Sequence, residues 1–195
     1  MKNFLFFIGL TLSAGLLFTA CKDDDNDPKS IVELAQGNAE LSILVDALVR
    51  ADLAATLEGA GPFTVLAPTN AAFTSLLNTL GVSSLNDIPV DQLRNILLNH
   101  VVSGDVRSRD LTTGYVNTLA TGPGNNPISL YVDVTSGVKF NNAATVTTAD
   151  VAASNGVVHI IDQVITIPTV VNTALNNPNF STLVAALTRA DLGVN

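Results

Sequence analysis

The sequence predicts an α+β domain in which helices come first and an antiparallel sheet follows. Apolar residues recur at helical spacing as far as His100. From Tyr115 onward, short alternating runs divided by Gly, Pro and Asn clusters take over. One β-branched apolar run, Phe63 to Ala67, lies among the helices and reads as a buried strand.

The N-terminus is read apart from the fold. Lys2 supplies a positive charge, Phe4 to Phe18 is apolar but short for a membrane span, and small Thr19 and Ala20 precede Cys21. Leu17 to Cys21 resembles a bacterial lipobox, with Phe18 where Leu is usual. The resemblance implies that residues 1–20 are a lipoprotein signal peptide. Cys21, the only cysteine, would then be the lipidation site that ties the chain to a membrane. Plain secretion with a free thiol is the alternative. Residues 21–29 form an acidic tether. Lys22 followed by Asp23, Asp24 and Asp25 resembles the surface-export signal of Bacteroidetes-type lipoproteins. That implies an outer-membrane lipoprotein exposed on the cell surface, with periplasm-facing retention as the alternative. Asp23, Asp25 and Asp27 imitate the start of a calcium loop, but Pro28 stands where the loop needs Gly and Leu34 where it needs Glu.

Ser30 opens the first helix, with Glu33 placed to complete a capping box. A second helix is predicted from Glu40 to Ala51, with Leu41, Leu44, Val45, Leu48 and Val49 toward the core and Asp46 and Arg50 paired on the solvent side. Gly59 to Pro62 is a turn into the strand at Phe63. Pro68 stops that strand, and Thr69 or Asn70 caps the helix through Leu77. Val90 to His100 is a third strong helix. Strands are predicted at Tyr115–Leu119, Ile128–Val134, Val138–Phe140, Thr145–Ala152 and Val157–Ile167, with Asn155-Gly156 as the clearest hairpin turn.

Composition narrows the function. The formal net charge of −8 opposes nucleic-acid binding, which needs a basic face. Neither histidine has a second His or Cys at ligand spacing, so no metal or other cofactor is predicted. No GxSxG, phosphate loop or paired catalytic carboxylates occur, so the chain is read as a non-enzyme. His100 and His159 are each expected to be satisfied by a backbone carbonyl. Asp150 is expected to be a solvated charge at a strand edge.

FTVLAPTNAAF (Phe63 to Phe73), LLNHVVSGDV (Leu97 to Val106) and NGVVHIIDQVI (Asn155 to Ile165) occur in this order. Together they resemble the fasciclin (FAS1) domain over residues 30–168. The resemblance implies the FAS1 fold, an antiparallel wedge or sandwich with the N-terminal helices packed on it, and a role in adhesion or binding. In animal relatives an Asp-Ile pair and a Tyr-His region are credited with integrin contact. Here Asp150-Val151 and Asn99-His100 match those places, with Val for Ile and Asn for Tyr. The implied partner is therefore an unknown extracellular protein or glycan. A polysaccharide-associated accessory protein and a structural envelope spacer are the alternatives to an adhesin. Finally, Thr169 to Leu192 repeats Ser30 to Leu53, with 12 of 24 aligned positions identical. Residues 169–195 are thus expected to start a second, truncated unit.

Overall fold

The computed structural model describes residues 28–167 and 180–190. The signal peptide, Cys21, the Lys22 to Asp25 segment and most of the repeated C-terminal segment lie outside the described residues.

Helix α1 (Ile31–Gln36) starts on the predicted capping box: Ser30 Oγ accepts from Glu33 N at 3.2 Å, and Ser30 N donates to Glu33 Oε2 at 2.7 Å. A 3₁₀ turn (Ala39–Leu41) leads into α2 (Ser42–Arg50), which buries Leu44, Ala47 and Leu48 but, against expectation, leaves Val49 on its exposed side. Arg50 does not pair with Asp46. It reaches across to Asn86 Oδ1 (2.9 Å), Asn86 O (3.0 Å) and Ile88 O (2.9 Å), so it holds the Leu85–Asp87 turn instead. Short α3 (Ala54–Leu57) precedes β1 (Phe63–Pro68). Thr69 caps α4 (Asn70–Leu80), which ends at Gly81 in the left-handed conformation. Helix α5 (Val90–Leu98) follows. The remaining strands are β2 (Val101–Ser103), β3 (Gly114–Thr121), β4 (Pro127–Asp133), β5 (Lys139–Phe140), β6 (Ala144–Ala153) and β7 (Gly156–Ile161).

The α+β order holds, but the expected antiparallel wedge or sandwich is corrected in two respects. The seven strands close into a barrel, and the closing seam pairs β1 with β7 in parallel, over six consecutive rungs from Phe63↔Gly156 to Pro68↔Ile161. The last predicted strand also stops at Ile161 rather than Ile167. The cause is β1: beyond Pro68 the chain turns into α4, and Thr69 N donating to Ile161 O is the final link of the seam. The hairpin between β6 and β7 turns on Ser154-Asn155, closed by the Ala153↔Gly156 pair, so Asn155 itself needs no positive φ.

The position of β1 explains its continuous apolar sequence. Val65 and Ala67 face a helical core with Leu44, Leu48, Phe73, Leu93, Leu97 and Val158. Leu66 faces the barrel interior with Leu130, Val132, Phe140, Ala144 and Ile161. A strand buried on both faces has no solvent side on which to alternate. Ile31, Val32 and Ala35 of α1 belong to the same helical core.

Candidate functional site

Asn99 and His100 end α5 and start the step into β2. Both are fully buried, and their polar atoms are used within the fold. His100 Nδ1–H donates to Ile96 O at 2.8 Å, while Nε2 accepts from Ile165 N at 2.8 Å. Asn99 Nδ2 donates to Ile165 O at 3.2 Å, and its Oδ1 accepts from Thr118 Oγ1 at 3.3 Å. The pair therefore clamps the segment after β7, which has no strand neighbour of its own. As a surface for a ligand it is corrected: neither side chain reaches solvent.

The clamp carries a pH signature. Burial pushes the His100 pKa down to about 4, against a smaller opposing effect of the bond to Ile96. The folded pKa lies below the unfolded one, so the unfolded chain takes up the proton first. Stability from this residue is complete above about pH 6.5 and is lost as the pH falls to about 4, a span worth roughly 3 kcal/mol. Urea midpoints measured through that window should fall for the parent chain and stay flatter for His100→Gln. An equally steep fall in the variant would remove His100 as the cause.

Asp150-Val151 lies in β6, where the register with β7 shifts between Thr148 and Val151. Asp150 has φ +60° at this irregularity. The expected solvated charge stays partly exposed, its side chain 35% accessible, and also serves as a latch. One carboxylate oxygen accepts from Ser108 N at 2.7 Å and the other from Ser108 Oγ, and these bonds hold its pKa below the ordinary carboxylate value. Asp150 N donates to His159 Nδ1 at 3.1 Å, and His159 Nε2–H donates to Val106 O at 3.0 Å. Those partners assign the Nε2–H tautomer and leave no ring nitrogen for a metal. Thr64 Oγ1 completes the arrangement by accepting from Val106 N (2.8 Å) and donating to Gly104 O (2.6 Å). Side chains from β1, β6 and β7 thus strap the connection between β2 and β3. Thr64 and Ser108 were not singled out in the sequence, because partners some forty positions apart leave no local spacing to read.

Val151 does not share that environment. It is half-buried and lines an open groove of about 560 Å³ with Leu34, Leu41, Thr148, Val158 and Ile160. The barrel interior beside His159 keeps a void of only about 10 Å³, too small for a ligand.

The family model described as Fasciclin domain matches residues 39–168. The chain belongs to the fasciclin domain family. A protein of Synechocystis sp. is 45% identical over 139 residues, covering 71% of this chain and 74% of that protein. Transforming growth factor-beta-induced protein ig-h3 of Sus scrofa is 33% identical over 154 residues, 79% of this chain but 22% of its own length. Among solved structures, a FAS1 domain pair from the insect cell adhesion molecule Fasciclin I is similar at 23% identity and a TM-score of 0.43. It covers 80% of this chain and 52% of that one. In this fasciclin domain the first and third sequence blocks are the two strands of the parallel seam, and the second supplies the clamp and β2. Their composition is thus accounted for by folding.

Proposed function

We propose that this fasciclin chain is a cell-surface binding or adhesion module that performs no chemistry of its own. The observation that carries the reading is the consumption of the reactive side chains. Both nitrogens of His100 and of His159, and both carboxylate oxygens of Asp150, are engaged within the fold. Both histidines are buried and bonded to backbone atoms, so neither is poised to exchange a proton with a substrate. The partner is an extracellular protein or glycan, and the fasciclin resemblance supports adhesion first. Lipid on Cys21 is the anchor, Lys22 to Asp25 direct export to the outer surface, and the acidic tether holds the domain off the membrane.

We also read Thr169 as the start of a second fasciclin unit. Helix α6 (Ser181–Arg189) aligns under the repeat with α2 (Ser42–Arg50). Phe180 and Leu183 are 44% and 47% exposed, whereas Leu41 and Leu44 at the matching places are each 2% exposed. The second copy thus carries a core-facing stripe whose fasciclin partner surface is not among the described residues.

Fractionation tests the anchor: Cys21→Ser should move the protein from the membrane pellet to the soluble fraction, and continued sedimentation with membranes would refute lipidation. Beads coated with the chain should bind the cells that produce it. Binding no better than that of albumin-coated beads would sink the adhesion reading.

A further inference from the structure

The chain has two tyrosines and no tryptophan, and both tyrosines stand together on the outer face of the barrel. Tyr115 of β3 is directly opposite Tyr131 of β4, with ring centroids 5.3 Å apart and planes inclined at 60°. The next outward rung is Asn117↔Ser129, joined by Ser129 Oγ donating to Asn117 Oδ1 at 2.7 Å. The intervening residues Leu130 and Val132 point inward and are fully buried.

A cross-strand aromatic pair stabilises a sheet, but that accounts only for the contact between the rings. Tyr115 remains 51% exposed. Among the described residues, neither phenol hydroxyl and neither hydrogen of the Asn117 amide has a protein partner. The patch is also uncharged on a chain of net charge −8. The closest acid along β4, Asp133, has its carboxylate turned back to Thr135 N and Oγ1.

We propose that the Tyr115–Tyr131 face binds a neutral saccharide chain. The C–H face of a sugar ring carries partial positive charge and packs against the negative face of Tyr115. Its hydroxyls are matched by the two phenols and the Asn117 amide, which are neutral donors and acceptors with capacity left over. An anionic polymer would meet Lys139 only beside its cross-strand partner Asp133, whose opposite charge offsets it, and a purely apolar partner would strand the Asn117 amide. The proposal rests on the reading of the domain as a binding module and names the class of partner.

Affinity electrophoresis of the full chain through gels containing dextran, laminarin, pullulan or galactomannan tests it. At least one polysaccharide should retard the parent chain. Tyr115→Ala should weaken retardation about tenfold or more, while Tyr115→Phe, which keeps the ring, stays within about threefold. Unfolding midpoints of the variants separate loss of the site from loss of the fold. Absence of retardation by all four polymers, or equal retardation of a folded Tyr115→Ala chain, overturns the proposal. Cell-bound beads that do not respond to Tyr115→Ala, with no polysaccharide bound, would overturn the saccharide site and leave adhesion standing. Retardation without bead binding would do the reverse.

Discussion

Gly156→Ala is expected to abolish cooperative folding or to lower stability by at least about 4 kcal/mol. Gly156 opens β7 opposite Phe63, the first rung of the parallel seam. A Cβ there would fall within the van der Waals radius of Phe63 O and 2.8 Å from Phe63 C and N, all backbone atoms that no side-chain rotation can remove. Its φ of +154° adds conformational strain for any other residue. Gly61 meets the same crowding from the other side, since its Cβ would press on Asn155 O. The two chains therefore approach as closely as glycine permits where the barrel closes. Gly81→Ala is the comparison that separates crowding from backbone strain. Gly81 has φ +68° but nothing within 4 Å of its Cβ, so the cost should be about 1 kcal/mol. Urea unfolding followed by circular dichroism measures both. Similar midpoints for the two variants would show that the seam tolerates what its geometry forbids.

Much of the fold was legible because its signals are local. The Ser30–Glu33 box and the cap at Thr69, one of the two residues offered for it, are each written within four residues, and the structure places them there. The run Phe63 to Ala67 showed a buried strand but not its neighbours. A parallel pair has no turn between its members, so β1 with β7 cannot be inferred from spacing as a hairpin can. Closure of the barrel was hidden for the same reason. At the candidate site, Asp150 was read only as a strand-edge charge, because its contact with Ser108, forty-two positions away and beside a register shift in β6, leaves no local spacing to read. Tyr115 and Tyr131 were each visible as strand residues. Their meeting depends on the β3–β4 register, which the long Gly122 to Pro127 connection does not disclose.

Asn155→Ala should cost about 3 kcal/mol, the loss of three hydrogen bonds at roughly 1 kcal/mol each. Asn155 Oδ1 accepts from Ile31 N at 3.0 Å, while Nδ2 donates to Leu57 O at 2.7 Å and Gly59 O at 3.0 Å. One side chain therefore joins the start of α1, the end of α3 and the turn before β1. Its own carbonyl accepts from Phe63 N at 3.0 Å, which sets the first rung of the seam. A carboxamide is needed because the task combines one acceptor with two donors, a set that neither Asp nor Ser supplies. Asn155→Asp makes the sharper test. It retains the acceptor for Ile31 but turns a carboxylate oxygen toward two carbonyls. At neutral pH it should be no more stable than Asn155→Ala. The carbonyls disfavour the charged form, so its folded-state pKa is raised above the unfolded value. The deficit relative to the parent should therefore shrink as the pH falls and the carboxyl gains a proton to donate. Unfolding midpoints of the parent, Asn155→Ala and Asn155→Asp between pH 7 and pH 4 decide the matter. A gap between Asp and parent that does not change with pH would mean that the donors to Leu57 and Gly59 are not what holds the helices to the barrel.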